Sequence, residues 1–307
     1  MATAFVTHPQ CRKHDMGAFH PECPERLSAI EDQLISSGVG QHLAHHQAPQ
    51  ASVSALARVH PMEYISHIRS SAPQSGTVHL DPDTAMNPHT WAAALHAAGA
   101  AVLATDLVLT RQAENAFCSV RPPGHHATKK RAMGFCLFNN VAVAARHALE
   151  QYGLARVAIV DFDVHHGNGT EDIFRDDARV LMVSTFQHPF YPYSGTETSA
   201  PNMVNVPLPA GAGSQPFRDA VTLKWLPALE AFKPQMVFFS AGFDAHIEDD
   251  MAMLRLVDGD YVWVTQQIKV IADKYAEGRI VSVLEGGYNL SALARGVVGH
   301  IKVLGGL

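Results

Sequence analysis

The stretch RVAIVDFDVHHGNGT, residues 156–170, joins a continuous apolar run to a cluster of acidic and histidine side chains. The run Arg156–Val160 shows no alternation of apolar and polar residues, which is typical of a strand buried on both faces of a parallel sheet. The polar cluster begins where this strand should end. The segment therefore predicts an α/β fold in which the chemistry lies at the carboxyl end of a strand.

The same alternation of short apolar runs and longer helical patterns recurs along the chain. The other predicted strands are Thr3–Val6, Asn115–Val120, Arg179–Thr185, Met236–Ser240 and Arg279–Leu284, with a short one at Met203–Val206 inside a surface loop over Pro192–Gly213. The predicted helices are Pro24–Ser37, Pro88–Thr110, Asn139–Tyr152, Gln215–Phe232, Asp258–Glu277 and Leu290–Leu304. Strands that alternate with helices indicate a parallel sheet flanked by helices. We find no repeat or linker, so residues 1–307 are predicted to form a single domain.

Composition restricts the class of protein. A chain with 47% hydrophobic and 17% charged residues should bury a large core, and a net charge of −6 without a basic block argues against direct binding to nucleic acid. The apolar stretch Ala92–Leu109 contains His96 and Asp106, so we expect a buried helix and no membrane span. The four cysteines form no CxxC pair, and the amino terminus lacks a signal-peptide pattern. A cytoplasmic location is therefore the expectation.

Two further predictions concern which side chains are buried and which are exposed. In the helix Pro24–Ser37, one apolar stripe of Leu27, Ile30, Leu34 and Ile35 should face the core. Most of the 19 histidines should be surface or capping residues, and we assign this role to His42, His45, His46, His67, His89, His96 and His300.

Four polar clusters each follow a predicted strand. They are RPPGHHA (Arg121–Ala127), DFDVHH (Asp161–His166), AGFD (Ala241–Asp244) and EGGY (Glu285–Tyr288). Ligands of open parallel sheets bind at the carboxyl ends of the strands, where loops from several strands converge. The four clusters should therefore meet in one pocket although they are far apart in sequence.

The second and third clusters carry a candidate metal site. Asp163 and His165 are two residues apart on extended backbone, so their side chains point the same way. Asp244 can complete three protein ligands and leave a fourth position for water, as a catalytic zinc site requires. The alternative is that Asp163 and His165 only cap the following helix. The other polar clusters at neighbouring strand ends make this alternative the weaker one.

The remaining clusters offer groups for proton transfer and hydrogen bonding. The adjacent His125 and His126 follow a stiff proline turn and suit acid/base work near neutral pH, with Asp161 and Asn168 to fix their ring tautomers. Tyr288, in a glycine-rich turn, can direct its hydroxyl at a developing oxyanion. A lone GGY would more often be an ordinary surface turn, and only its strand-end position favours the catalytic interpretation.

Taken together, these residues resemble the histone deacetylase family, most closely its class II branch. The resemblance rests on RPPGHHA (Arg121–Ala127), GFCLFNNVAVAARH (Gly134–His147), IVDFDVHHGNGT (Ile159–Thr170), SAGFDAH (Ser240–His246) and LEGGYN (Leu284–Asn289), with HPECPERL (His20–Leu27) similar to the family's first active-site loop. It covers nearly the whole chain. It implies an arginase-like α/β domain and a zinc-dependent enzyme that removes acetyl groups from amines.

The resemblance also implies roles for individual residues. Asp163, His165 and Asp244 match the ligands of one zinc ion, His126 the general base, and Tyr288 the residue that stabilises the tetrahedral intermediate. His125 would act electrostatically with Asp161, and Asn168 would orient His126. Gly134, Phe135 and Tyr191 match the substrate tunnel, with Tyr191 where phenylalanine is common, and Asp83 matches an aspartate that holds the substrate backbone. The family's potassium site would use main-chain oxygens of Asp161, Asp163 and His165 together with Ser184.

The sequence is compatible with several functions. The substrate is either an acetylated lysine of a peptide or protein, or an acetylated polyamine. Met251 occupies the position at which a polyamine-selective relative carries a glutamate, although Glu248, Asp249 and Asp250 are close by. A non-catalytic protein that binds acetylated ligands and an arginase-like enzyme with two metal ions are further hypotheses. The sequence does not distinguish Zn²⁺ from Fe²⁺, nor does it predict an oligomeric state.

Overall fold

The strand predicted at Arg156–Val160 lies inside an eight-stranded sheet. The computed structural model describes residues 2–197 and 200–307. The strands in this part of the chain are β1 (Ala4–Thr7), β2 (Ala44–Gln47), β3 (Val78–Asp81), β4 (Thr84–Met86), β5 (Ala116–Cys118), β6 (Val157–Asp161), β7 (Val180–Gln187), β8 (Met203–Leu208), β9 (Met236–Ala241) and β10 (Ile280–Leu284). The main sheet has the order β2-β1-β5-β10-β9-β6-β7-β8, and β3 pairs with β4 in a separate antiparallel hairpin.

Every neighbouring pair in the main sheet is parallel. The carboxyl ends of the strands therefore all lie at one edge. All residues of β5, β6, β9 and β10 are buried, which agrees with their continuous apolar sequences. The predicted fold, a single α/β domain with a parallel sheet and helices around it, is confirmed.

Helices pack on the sheet in two groups. The helices are α1 (Glu25–Ser36), α2 (Val53–Leu56), α3 (Met62–Ser71), α4 (Thr90–Leu109), α5 (Asn140–Gln151), α6 (Asn168–Phe174), α7 (Ser214–Ala220), α8 (Leu226–Phe232), α9 (Asp258–Tyr275) and α10 (Leu290–Gly305). Helices α4 and α5 contact each other, whereas α10 packs against α1 and α9. Helix α4 is long and apolar enough to cross a membrane, but most of it is buried inside the protein, as predicted for Ala92–Leu109.

Several elements were not predicted from the sequence. The edge strand β2 has the sequence AHHQ, and the hairpin β3–β4 has only three or four residues in each strand, so neither carries a continuous apolar run. The predicted helix Gln215–Phe232 is divided into α7 and α8 by a π-helical turn at Val221–Trp225. Pro227 follows this turn and has no N–H to donate, which is a common cause of such an interruption.

Three predictions about side chains were wrong. Ile35 was expected to face the core but is 76% exposed. His300 was expected at the surface but is fully buried, and its ring nitrogens hydrogen-bond the hydroxyls of Thr265 and Ser282. His96 is also buried, and its Nδ1 hydrogen-bonds the carbonyl of Ala48. In the core, a hydroxyl or carbonyl partner satisfies an imidazole as well as water does. A sequence pattern does not show such distant partners.

The loop predicted over Pro192–Gly213 contains strand β8, which is longer than expected and forms one edge of the sheet. Residues 198 and 199 of that loop lie outside the described part of the chain. The amides of Met182 and His188 donate to the carbonyls of Asn202 and Leu208, so even-numbered residues of β8 bond to β7. Pro207 therefore directs its nitrogen toward the free edge.

Gly99 of α4 lies against the backbone that follows β2, where a Cβ would overlap the carbonyl of Pro49 and come within 2.7 Å of the amide nitrogen of Ala51. We predict that Gly99→Ala lowers the free energy of unfolding by about 1–3 kcal/mol, because this backbone cannot yield as a side chain would. Chemical denaturation measures the change. The matched control is Gly259→Ala in α9, where a Cβ meets nothing within 4 Å. An equal loss in both variants would show that packing at Gly99 is not the cause.

Candidate active site

The four polar clusters converge at the carboxyl edge of the sheet, as predicted. They surround a cavity of about 150 Å³ that is lined by Asp83, Pro123, His125, His126, Gly134, Phe135, His165, Phe190, Tyr191, Met251, Gly286 and Tyr288. A larger cavity of about 510 Å³ lies beside α1 and β2, but its walls hold no comparable cluster of metal-binding or acid/base groups. The smaller cavity is therefore the candidate active site.

Asp163, His165 and Asp244 form a buried cluster at this cavity, with one potential ligand atom of each within 4.8 Å of the others. His165 Nδ1 lies 2.9 Å from Asp163 Oδ1 and 3.3 Å from Asp244 Oδ2. The buried Asp244 Oδ2 accepts no hydrogen bond. Neither Asp163 nor His165 caps the following helix, because the N-cap of α6 is Gly167. Two carboxylates, an imidazole and an unsatisfied oxygen fit a divalent metal ion.

Backbone amides fix the two carboxylates of this cluster. Asp163 Oδ2 accepts the N–H of Gly286 at 2.9 Å, and Asp244 Oδ1 accepts the N–H of Val164 at 2.9 Å. A Cβ on Gly286 would collide with both carboxylates, so only glycine allows the strand end of β10 to approach so closely. The three potential metal ligands are thus held in place by the ends of three neighbouring strands.

The adjacent histidines have different surroundings. His125 Nδ1 lies 3.0 Å from Asp161 Oδ2, and His126 Nδ1 lies 2.7 Å from Asn168 Oδ1, as predicted for these pairs. Burial alone would lower the pKa of His125, but the charges of Asp163 and Asp161 raise it well above its usual value. Burial and the neighbouring His125 hold the pKa of His126 well below its usual value. His125 therefore favours the charged form and His126 the neutral one.

Glu285 holds the histidine loop, a role that was not predicted. Its Oε2 accepts the N–H groups of Gly124 and His125 at 2.6 and 3.1 Å. Burial raises the pKa of this carboxyl to about 7. Because Glu285 is the last residue before the glycine turn at Tyr288, one side chain connects the first and fourth polar clusters.

A second unpredicted network surrounds the carboxylate of Glu22, which is fully buried between two guanidinium groups. Arg121 forms a bidentate ion pair with this carboxylate, and Arg26 donates a hydrogen bond to it at 2.9 Å. Arg26 also donates to the carbonyls of Gly287 and Glu285, and its guanidinium lies 5.1 Å from the centre of the Tyr288 ring. The network ties the loop at Glu22 to the histidine loop and to the Tyr288 turn.

Aromatic rings form the walls of the cavity. The Tyr191 ring meets the His126 ring edge-on at 5.2 Å, and Phe190 stacks on His165 at 5.4 Å. The Phe135 and Tyr288 rings, which also line the cavity, lie 6.0 Å apart. Tyr191 was expected here, and Phe190 is an additional wall residue. The pKa of Tyr288 is raised well above its usual value by burial and by Asp244, so its hydroxyl keeps its proton.

Asp83 and Met251 lie at the cavity, as the sequence predicted. Asp83 Oδ1 accepts the N–H of Gly134 at 3.0 Å and the hydroxyl of Thr84 at 2.8 Å. The hairpin β3–β4 therefore supports the glycine at the start of the Gly134–Phe135 wall. A role of Asp83 in holding substrate remains a prediction.

Comparisons with known proteins agree with this geometry. A profile of the histone deacetylase domain matches residues 20–304. A probable deacetylase of Archaeoglobus fulgidus is 37% identical over 100% of this chain and 87% of its own length. A histone deacetylase-like amidohydrolase of Pseudomonas aeruginosa is 39% identical over 89% of this chain and 73% of its own length. The mouse polyamine deacetylase HDAC10 is 38% identical over 99% of this chain, which covers 48% of that protein.

A solved structure gives the same result. The crystal structure of the HDA15 HD domain superposes with a TM-score of 0.93 at 35% identity, over 99% of this chain and 88% of that one. The similarity thus extends from the sequence motifs to the arrangement of the whole domain.

We predict that Glu22→Gln lowers the free energy of unfolding at pH 7 by about 3–5 kcal/mol, since it leaves two buried guanidinium groups without their counter-charge. Burial opposes ionisation of Glu22, but Arg121, His14 and Arg26 bring its pKa well below the usual value. A depressed pKa stabilises the fold above the pKa of the unfolded chain and loses this effect as pH falls. The difference between wild type and variant should therefore shrink on acidification below about pH 4.3.

Urea unfolding at several pH values tests this prediction. The control is Glu31→Gln, which removes the exposed pair with Arg12 and should change stability by less than about 1 kcal/mol. A Glu22→Gln variant as stable as the control would contradict the structural role of the buried carboxylate.

Proposed function

This chain belongs to the histone deacetylase family, and on that premise we propose that it is a zinc-dependent hydrolase that removes acetyl groups from the lysine side chains of peptides or proteins. The observation that carries the proposal is the meeting of three metal-type ligands, two adjacent histidines and a tyrosine in one cavity. The relatives support hydrolysis of amides as the reaction class. Retention of all these groups argues against a protein that only binds acetylated ligands.

Asp163, His165 and Asp244 would hold the zinc ion, because zinc accepts this mixture of oxygen and nitrogen ligands. When bound, such an ion polarises a carbonyl and activates water near neutral pH. The arginase-like alternative needs a second set of ligands. Asp161 would have to contribute, but its two oxygens already serve His125 Nδ1 and the N–H of Asp163. Across the described ranges, one cluster of metal-type ligands is found, which favours one ion per chain.

His126 would act as the general base. Its neutral form can take a proton at Nε2, because Asn168 holds the proton-bearing Nδ1. Water would attack the acetyl carbon as His126 removes its proton, and the same proton would then pass to the leaving nitrogen. The C–N bond breaks, and acetate and the free amine are released. His125, paired with Asp161, would keep a positive charge beside the reacting carbonyl.

Tyr288 would donate a hydrogen bond to the oxygen that becomes negative when water attacks. Its raised pKa keeps the hydroxyl protonated, as a donor requires. Phe135, Phe190 and Tyr191 would enclose the methylene groups of the substrate and exclude bulk water, with Gly134 leaving room beside His126. Asp83 would contact the substrate near the entrance.

We further propose a potassium ion beside the zinc. The buried Ser184 Oγ has no hydrogen-bond partner, and Ser184 is paired in register with Asp161 on the neighbouring strand. Main-chain oxygens of Asp161, Asp163 and His165 would supply the other ligands. An unsatisfied hydroxyl oxygen at this position fits a cation that takes oxygen ligands.

Two of the three acidic residues that follow Asp244 are occupied by contacts within the protein, which favours acetyl-lysine over acetylpolyamines as the substrate. Asp249 is buried against backbone amides, and Glu248 is paired with Arg295 at 2.8 Å. Met251, which lines the cavity, offers only apolar surface to a second amine. Asp250 is exposed and could still attract a cation. Deacetylation of acetylpolyamines, the activity named in HDAC10, is therefore the second candidate.

The purified protein should contain about one zinc ion per chain, and its removal by a chelator should abolish turnover of an acetyl-lysine peptide. Asp163→Ala should lose metal and activity together, because no neighbouring group replaces a carboxylate ligand. Elemental analysis and peptide turnover measure both. Asp219→Ala, on the exposed face of α7, is the control. Two catalytic ions per chain would favour the arginase-like alternative.

His126→Ala should reduce turnover by roughly 10²–10⁴-fold while zinc remains bound, since the base is removed and the ligands are not. Steady-state kinetics and metal analysis of the same preparation are the measurements, with the exposed His67→Ala as control. Loss of zinc from the His126 variant would mean that the histidine pair binds the metal.

Met251→Glu should raise activity on acetylspermidine relative to an acetyl-lysine peptide by roughly tenfold, about 1.4 kcal/mol, a modest value for a partly solvated charge pair. Met253→Glu, at a 60% exposed position that does not line the cavity, should have little effect. The same panel, with longer acyl-lysines added, tests the proposed substrate. A wild-type enzyme that prefers acetylspermidine would overturn the assignment to lysine and leave the chemistry intact.

A further inference from the structure

Asp249 is a buried carboxylate that the proposed reaction does not use. It lies five residues after Asp244 and is only 4% exposed. Its Oδ2 accepts the N–H of Tyr288 at 2.6 Å and the N–H of Asn289 at 2.9 Å. Charge-assisted hydrogen bonds of this kind are stronger than those between neutral groups. The carboxylate is thus attached to the backbone of the residue that carries the oxyanion-stabilising hydroxyl.

The other oxygen of Asp249 bonds to a residue that lines the cavity. Asp249 Oδ1 accepts the N–H of Met251 at 3.0 Å. The carbonyl of Glu248 accepts the side-chain amide of Asn289 at 2.9 Å, and Asn289 in turn caps α10 through the N–H of Ala292. One short segment, residues 248–251, therefore contributes a residue to the cavity wall and contacts the start of α10.

The turn that carries Tyr288 is held from two sides. Arg26 donates to the carbonyls of Glu285 and Gly287, which precede Tyr288, and Asp249 accepts the amides of Tyr288 and Asn289. Two glycines within this turn leave its backbone few intrinsic restrictions. The position of the Tyr288 hydroxyl then depends on these contacts, together with the bond from the Gly286 N–H to Asp163 Oδ2 and the contact of its ring with Phe135. An oxyanion donor is effective only if its position is fixed before the reaction.

We propose that Asp249 is a positioning residue that fixes Tyr288 for catalysis and links it to the substrate-facing Met251. This inference rests on the proposed function, since it assigns Tyr288 to the oxyanion. It predicts that loss of the carboxylate impairs turnover through Tyr288 alone and leaves the metal ligands occupied.

Asp249→Asn is the most direct test, because the amide keeps the size of the side chain but replaces one acceptor oxygen with a donor group. Zinc content should be unchanged, and kcat for an acetyl-lysine peptide should fall roughly tenfold, less than the 10²–10³-fold expected for Tyr288→Phe. Asp273→Asn, an exposed aspartate of α9, is the matched control. If Asp249→Asn does not fold, Asp249→Ser removes the charge and keeps a small acceptor.

A double-mutant cycle separates positioning from a general structural effect. In the Tyr288→Phe background, Asp249→Asn should change kcat by less than roughly twofold, because the hydroxyl it positions is already absent. Any change in KM that arises at Met251 should persist in that background. An equal loss of kcat in both backgrounds would overturn the proposal.

Amide hydrogen exchange gives a readout that does not depend on turnover. The segment 286–292 should exchange faster in Asp249→Asn than in wild type or Asp273→Asn, because the amides of Tyr288 and Asn289 lose their charged acceptor. Unchanged exchange would overturn the inference even if kcat fell. A zinc-loaded wild-type protein without deacetylase activity would refute the proposed function, and exchange would still decide whether Asp249 holds the turn.

Discussion

Parallel pairing of eight strands is the constraint on which the rest of the molecule depends. A parallel sheet needs a crossover after each strand, and these crossovers provide the helices that bury both of its faces. It also brings all carboxyl ends to one edge, where β5, β6, β9 and β10 deliver the histidine pair, the metal-type ligands and the tyrosine turn. Residues more than 160 positions apart, such as Gly124 and Glu285, can then share a hydrogen bond.

Burial at this edge makes the electrostatics of the site interdependent. The buried carboxylate of Glu22 lies between the guanidinium groups of Arg121 and Arg26, and Glu285 accepts two amides of the histidine loop. Each of these groups would be costly to bury alone. Together they form a network of hydrogen bonds and ion pairs beside the cavity. This network fixes the positions of the histidine loop and of the turn that carries Tyr288. The different tendencies of His125 and His126 to carry charge arise in the same way, because His125 lies beside two aspartates and His126 is buried beside His125.

The sequence predicts the parts of this molecule that depend on local pattern. The strands β6, β9 and β10 are continuous apolar runs, and the ends of these strands place Asp163, His165 and Asp244 together. Contacts between distant segments outside these motifs could not be predicted. Nothing near Glu22 indicates that Arg121 is its partner, and nothing near Asp249 indicates the amide of Tyr288. The strands β2 and β3 were missed because their side chains are partly exposed, and the buried strand β4 because it has only three residues.

Pro207 has a consequence for the behaviour of the protein at high concentration. An exposed sheet edge can recruit a strand from another molecule, which is a route to aggregation. Near the end of β8, a position that should offer a donor to such a strand is a proline, so the incoming chain would lose one hydrogen bond there. The edge that completes the fold is thereby a poor template for intermolecular sheet growth, and the protein is protected there against self-association.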